Sequence, residues 1–554
     1  KVNWCFRKRH LKCDEGKPSC LKCIKGKFEC TYQTSSPLSK GKKSREQTAK
    51  LLALAPRPIR SREAPDSTPS IIQQPASFNL KTAREAHYFR FFCTNVAVQL
   101  SGLFDLSLWN RLILQTSEEE ESVRRGIIAL GALQQSINQK GEQNNRYLAS
   151  IAPNDEHHRY SVEQYQRAIK LMRHSISLRT HSLRTTLLNC LLAICFETMH
   201  GNDQSAIAQM EVGVRLLDDY ISSKRISSPR QGRNIPAASP DFHEHPISPS
   251  YALESPAPHE IEDELVHAFT RLDTQANSFL DARPLEHHMV MRFHGSDCLA
   301  RMPTTYCSID EARKYHELLG RRVSHWTSTL GGRNFFFNEY HVVLDDQKEG
   351  SIPKTHSIPE EVYMERQEHL DDLDRWWQAF TPLWIRYQYQ MDSREYLCAV
   401  NLRLRFVVTR LMLSMALVAN QLLFDEHIDE FHEVVYLAKI LHSSSLAEGP
   451  LSFDLGYIPA LFTVTSKCRD RRVRREAAHL LLSKAWREGL WESNVTGRVS
   501  AAVIDIEEEG LQGDFVPEEA RIKSMRLRFD LPSKELRLSC TMASGDIKDR
   551  TIMW

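Results

Sequence analysis

Five of the 13 cysteines in this chain fall within its first 30 residues, and four of the five are spaced Cys13-x6-Cys20-x2-Cys23-x6-Cys30. No other feature constrains the fold as tightly. A segment of about 30 residues cannot bury enough apolar surface to fold by itself. Thiolates are soft ligands that hold zinc tetrahedrally, and a Cys-x2-Cys turn delivers two sulfurs to one metal. Structural zinc contributes on the order of 10–16 kcal/mol, so a metal is what folds such a head. Disulfides would be the alternative in a secreted domain. No apolar signal segment precedes Cys5 and five is an odd count, so a reducing compartment and metal ligation by Cys5, Cys13, Cys20, Cys23 and Cys30 are expected instead.

Charge is as unevenly distributed as cysteine. Residues 1–62 hold 17 Lys or Arg against four acids, Asp14, Glu15, Glu29 and Glu46. That is a surplus of 13 in a chain of formal net charge +2, which leaves a deficit of 11 for the rest. A basic head on an acidic body implies an anionic partner for the head. A membrane partner is not expected. The apolar run Leu187–Phe196 is far shorter than the ~20 residues of a span, and Arg410 interrupts the stretch that ends at Ala419.

Proline marks the organisation, because it ends helices and removes a backbone donor. Prolines punctuate a basic stretch at 35–81 and a Ser-rich stretch at 221–260, whereas Ser77–Ser228 holds only Pro153. The expected order is a metal module at 1–34, a flexible basic linker at 35–81, a helical block at 82–220, a disordered Pro/Ser-rich loop at 221–260, a second helical block at 261–510 and a tail at 511–554. The class is all-α. Leu188, Leu191, Leu192, Cys195 and Phe196 follow the helical period, and Leu187 with Ile194 make that helix apolar almost all round, so it should be central and buried. Amphipathic helices are expected around it at Tyr88–Leu100, Val123–Ile137, Tyr160–Leu178, Ala206–Ile221 and Ile261–Phe279. In the second block they are expected at Ala312–Trp326, Val362–Phe380, Tyr396–Ala419, Ile428–Leu441 and Arg472–Trp491. In the tail, Met525, Leu527, Phe529 and Leu531 alternate with polar residues, and Leu536, Leu538, Cys540 and Met542 do so again after a turn at Pro532–Glu535. That is a β-hairpin of period two, read as a surface appendage.

The segment CFRKRHLKCDEGKPSCLKCIKGKFECTY, Cys5 to Tyr32, resembles the fungal binuclear zinc-cluster (Zn₂Cys₆) transcription factors. It has a basic run before Cys13, Asp14 after it, Lys17-Pro18 before Cys20 and an aromatic Tyr32 after the last cysteine. The resemblance implies six cysteines holding two zinc ions, the first and fourth bridging both. Cys13, Cys20, Cys23 and Cys30 then correspond to the third to sixth ligands, with Cys20 a bridge. The start departs from the family pattern, because seven residues stand between Cys5 and Cys13 where six are expected and no cysteine precedes it. In strict register Phe6 stands at the second ligand and Asn3 at the first. Deleting Phe6 would restore Cys5 as a ligand, and with Lys rather than Met at position 1 a misplaced exon boundary is the expectation.

A short helix carrying Arg7, Lys8, Arg9, His10 and Lys12 would fit the major groove, where guanine N7 and O6 accept hydrogen bonds. The resemblance puts the base-contacting residue at His10, beside Arg9. Lys22, Lys25 and Lys27, with Lys40, Lys42, Lys43 and Arg45 in the linker, would meet phosphates. Basic runs at Arg7–Lys12 and Gly41–Arg45 fit nuclear import. Leu51, Leu52 and Leu54 form a single cluster stopped by Pro56, not a heptad seam, so DNA binding as a monomer or weak homodimer is preferred.

From about Ala83 to near Ser500 the chain looks like the fungal-specific transcription factor domain, on AREAHYFRFFCTNVAVQLSG, YSVEQYQRAIKLMRHSI and LLNCLLAICFETMHGN. That implies an all-α regulatory body. No G-x-S-x-G, phosphate-binding Gly loop or His-Glu-x-x-His occurs, so no enzyme is expected. The adjacent pairs His157-His158 and His287-His288 read as surface histidines. Trp376, Trp377, Phe380 and Trp384 read as core packing, with a pocket wall as the sharper alternative. The eight dispersed cysteines read as buried small hydrophobes.

The sequence therefore points to a nuclear, zinc-dependent, DNA-binding transcription factor acting with the transcription machinery or co-regulators. The alternative is a helical scaffold whose finger has decayed. Zinc stoichiometry tests the register argument. By metal analysis after dialysis, the chain as written should retain fewer than two zinc ions, and the chain lacking Phe6 should retain two. Equal stoichiometry in the two proteins would refute the one-residue insertion.

Overall fold

The computed structural model describes Lys25 and residues 80–141, 155–178, 182–227, 253–279, 283–332, 340–344, 358–391, 393–444, 451–530 and 533–553. The chain divides into two units, Lys1–Ala76 and Ser77–Trp554. The expected metal module (Lys25 apart), nearly all of the linker, and residues 228–252 of the expected loop lie outside the described residues.

The second unit is mostly helical. Helix α1 (Ala83–Phe91) starts at Thr82, whose hydroxyl accepts the Glu85 N–H at 3.1 Å. A π turn, Phe92–Val96, leads into α2 (Ala97–Ser101), and α3 (Ile113–Glu119), α4 (Glu121–Gly141) and α5 (Glu156–Ser177) follow. Helix α6 (Leu183–His200) is the central helix that its apolar run implies. Ser182 caps it by accepting the Thr185 N–H at 3.0 Å, and Leu187 through Phe196 are all buried. Helices α7 (Asp203–Ser227) and α8 (Asp263–Phe279) close a first core that holds Phe92, Trp109, Ile127, Leu130, Leu188 and Phe269. The expected loop is trimmed at both ends, because α7 runs on to Ser227 and Ala257 and Ile261 are buried in that core.

After α9 (Leu285–Met291), the second core lies among α10 (Ser296–Ala300), α11 (Ile309–Gly332), α12 (Glu360–Tyr387), α13 (Arg394–Met415), α14 (Ile428–Ser443), α15 (Ile458–Lys467) and α16 (Arg471–Ser483). Trp376 and Phe380 are fully buried in it, stacked with centroids 4.8 Å apart, so the aromatic patch is core. Helix α12 passes the expected end at Phe380 and continues through Pro382. Pro382 leaves the Gln378 carbonyl without its helical donor, on an exposed residue of the helix. Leu383 and Trp384 meanwhile pack on the core and hold the last turns in place.

Helix α16 corrects an expectation in the other direction, ending at Ser483 rather than Trp491. The strand β1 (Tyr340–Leu344) precedes this region, and a small sheet of β2 (Leu451–Ser452), β3 (Arg487–Glu488) and β4 (Trp491–Glu492) replaces the end of the expected helix. Gly489 turns β3 into β4 at φ +55°, and a Cβ there would sit 1.8 Å from Gln275 Oε1. Helix α17 (Ser493–Glu508) follows.

The tail hairpin forms as β5 (Ile522–Asp530) and β6 (Glu535–Met542), with Leu527 opposite Leu538. It is not a surface appendage. The strand β7 (Ile547–Met553) pairs antiparallel with β6, and β1 pairs parallel with β5, giving the order β1-β5-β6-β7. The inward residues Met525, Leu527, Leu536, Leu538, Cys540 and Met542 are buried against Phe462, Val499, Val503 and Ile506, a third core. Among the described residues no helix is long and apolar enough to cross a membrane.

Two glycines make opposite predictions. A Cβ on Gly131 of α4 would lie 2.2 Å from the Tyr88 carbonyl oxygen of α1, whereas one on Gly320 of α11 would meet nothing within 4 Å. Gly131→Ala should destabilise by about 1–3 kcal/mol because backbone must shift. Gly320→Ala should stabilise by roughly 0.5–1 kcal/mol because it removes only chain entropy. Urea denaturation of the two variants reads the sign directly.

Candidate functional site

All of the predicted zinc ligands and base-reading residues, Cys5, Cys13, Cys20, Cys23, Cys30, Arg7, Lys8, Arg9, His10 and Lys12, with Lys22, lie outside the described residues. Lys25, expected to face phosphate, is helical and exposed. Among the described residues, no group of three or more His, Cys, Asp or Glu is placed to hold a metal. What the body offers is a lattice of buried charge between its first two cores.

Five residues from four segments build it. Asp105 follows α2, Arg271 lies on α8, Arg313 and Glu317 stand one turn apart on α11, and Asp454 follows β2. Arg313 donates from Nη2 to Asp105 Oδ1 at 2.9 Å and from Nε to Glu317 Oε1 at 2.7 Å. Arg271 pairs with Asp105, and its Nε lies 3.1 Å from Asp454 Oδ1. None of the five is more than 9% exposed. Burial pushes the Glu317 carboxyl up, but Arg313 and Arg271 outweigh it and hold it down at about 2. Asp454 goes the other way, because burial and the neighbouring Asp105 push it up to about 6 against the same two guanidiniums.

A second node lies farther along α8. Asp273, fully buried, pairs with Arg283 and with Arg321, whose Nε is 2.5 Å away, and lies 3.1 Å from His325 Nε2. His288 Nδ1 lies 2.9 Å from His325 Nδ1 and is buried, so the surface reading of His287-His288 is wrong for His288. His157 and His158 are half-buried and partnered too, with Tyr88 and His200. Among the dispersed cysteines Cys307 is exposed and Cys93 half-buried, while the other six are buried as expected.

These nodes do not provide a nucleophile beside a base. Every carboxylate in them faces arginine, which suits holding segments together. Sequence reasoning missed Arg271, Arg313 and Asp454 altogether. The available signal was Arg271 between Phe269 and Leu272, a charge set within the apolar period of its helix.

The family model described as "Fungal Zn(2)-Cys(6) binuclear cluster domain" matches residues 5–39, and that described as "Fungal specific transcription factor domain" matches residues 87–253. A curated relative, the aspercryptin biosynthesis cluster-specific transcription regulator atnN of Emericella nidulans, is 32% identical over 102 residues, 17% of this chain and 16% of that protein. No solved structure matches. Both families are of transcription regulators, which are not enzymes.

The lattice generates its own prediction. Glu317 has its folded value below the ordinary 4.5, so it contributes stability above that pH, and the contribution is lost as pH falls toward 2. Glu317→Gln should cost roughly 3–5 kcal/mol at neutral pH by leaving buried guanidinium uncompensated. It should also flatten the acid limb of the stability profile below pH 4.5. Urea denaturation at stepped pH measures both, and an unchanged acid limb would refute the pairing. With a cysteine cluster matched at the head and part of the helical body matched behind it, the chain is similar in both parts to the fungal Zn(2)-Cys(6) binuclear-cluster transcription factors.

Proposed function

We propose that the protein is a nuclear, zinc-dependent, sequence-specific DNA-binding regulator of RNA polymerase II transcription that reads CGG-type half-sites. The observation that carries this reading is the order of its parts: a cysteine-spaced module with a surplus of 13 positive charges over residues 1–62, ahead of a helical body with a deficit of 11. Thiolates are the donor set zinc prefers, and Cys5, Cys13, Cys20, Cys23 and Cys30 would hold it. When bound, zinc supplies the folding energy of the head. His10 and Arg9 donate to guanine N7 and O6, whereas Arg7, Lys8, Lys12, Lys22 and Lys43 neutralise phosphates and set the register. The body is the regulatory part that meets co-regulators, and the protein binds as a monomer or weak homodimer.

A second reading rests on one specific observation. Phe6 and Asn3 occupy ligand positions, so a bridging thiolate is missing from the chain as written. A finger decayed in this way would leave a helical scaffold.

A salt titration separates the two readings. On the full chain lacking Phe6, His10→Ala should lose about 1–3 kcal/mol on a CGG duplex and little on a scrambled one. Lys43→Ala should weaken both duplexes alike and reduce the log–log salt slope by about one unit, because a phosphate contact releases a counterion wherever it is made. No preference between duplexes, or equal weakening by His10→Ala, would favour the scaffold.

A further inference from the structure

Helices α11 and α12 clasp each other through a reciprocal pair of ring contacts, to which each contributes one tryptophan and one histidine. His316 of α11 stands T-shaped to Trp376 of α12 with centroids 4.8 Å apart, and Trp326 of α11 stands T-shaped to His369 of α12 at 5.7 Å. Each indole N–H is spent across the same joint. Trp376 Nε1 donates to the Ala312 carbonyl at 2.8 Å and Trp326 Nε1 to Glu365 Oε2 at 3.0 Å. None of the four residues is more than 3% exposed.

The tryptophans are thus satisfied and the histidines are not. Neither nitrogen of His316 has a hydrogen-bond partner, and neither does Nδ1 of His369. Buried polar atoms are rarely left so, and an apolar side chain in either place would avoid the cost. The charged groups that face His316 are Arg405 of α13 and Glu317 of its own helix, and Glu317 is already engaged by Arg313 and Arg271. Those that face His369 are Arg322 of α11 and Arg292 just past α9, which pair with Asp372 and Glu365 of α12. Burial first, and then these cations, push His316 well below the ordinary 6.5 and His369 down to about 3. A proton on either imidazole would place an unshared buried charge beside arginine.

We infer that the α11–α12 joint is an acid-sensitive switch, which stays shut while His316 and His369 are neutral and parts α12 from α11 when protons reach them. In the open form both imidazoles meet water and take up protons below about 6.5, whereas the closed form takes up none until far lower pH, so acid favours opening. Between pH 7.5 and 5.5 each histidine raises the open population about tenfold, and the two together raise it about a hundredfold. Opening uncovers Trp326 and Trp376, which otherwise sit in the second core, and so changes the surface that the regulatory body shows to its partners. His325, the other histidine of α11, faces Asp273 of α8 and His288 of α9 and stays outside the joint. The switch is independent of the DNA-binding reading.

Hydrogen–deuterium exchange of the full chain, with rates corrected for the intrinsic effect of pH, tests it by comparing α12 with the strands β5 and β6, which hold no histidine. From pH 7.5 to 5.5 the protection of α12 should fall about a hundredfold, and that of the two strands much less. His316→Leu and His369→Leu should each reduce the fall to about tenfold, and the double variant should abolish it. His432→Leu, at an exposed position of α14, should leave the fall as it is in the unsubstituted chain. Where a thermal melt shows that a Leu variant is unfolded, Gln takes its place, since it too binds no proton. Protection of α12 that does not fall, that falls in step with β5 and β6, or that falls as far in the double variant would overturn the inference.

Discussion

The ion lattice of Asp105, Arg271, Arg313, Glu317 and Asp454 is the constraint on which the helical body depends. Apolar faces tolerate small slides of one helix over another, whereas guanidinium–carboxylate pairs are directional and lose most of their strength when the fork misaligns. Arg313 reaches back to Asp105, far earlier in the chain, and forward to Asp454, so one side chain fixes three segments at once. Burying these charges is expensive, and the expense is offset only while each keeps its partners. The lattice therefore tolerates one arrangement of the two cores and penalises its neighbours.

The same device recurs wherever a segment has little apolar surface of its own. Glu507 of α17 accepts from Arg469 at 2.8 Å, Arg474 at 2.7 Å and the Ile522 N–H at 2.8 Å, fastening the first residue of the terminal sheet to the helices beneath it. Glu488 accepts the N–H groups of Gly456, Tyr457 and Ile458 within 3.0 Å, answering the orphan donors at the start of α15. That short hairpin strand is held by a carboxylate where an apolar contact would have no area to work with.

These particulars explain what the sequence could and could not disclose. Helix α6 was legible because its apolar residues leave almost no polar stripe, and the β5–β6 hairpin because strict alternation has no helical reading. Helix α15 was missed since IPALFTVTSK is short, carries a proline at its second position and is rich in β-branched residues. Helix α17 was missed for its Gly497 and valines. Strand β7, IKDRTIM, lies on the outer side of β6 with most of its residues exposed, so it carries no clear alternation. The lattice was invisible for a deeper reason. A lone Arg or Asp in a helix reads as solvent-facing, and only the fold brings Asp105, Arg271 and Asp454 together.

Buried ionisable groups with displaced pKa values often mark catalytic centres, and this body contains many. Their causes here differ from those of an active site. Burial alone accounts for the leading push on Lys467, lowered to about 7, on His369, lowered to about 3, and on Glu488, raised to about 7. Each is enclosed by fixed neighbours: Lys467 donates to Gln421 Oε1 at 3.2 Å and lies against the Phe424 ring, and His369 packs edge-on to Trp326. A catalytic group needs a path to substrate as well as a shifted pKa. Where the shift comes without access, it records what the fold spends to hold helices in register.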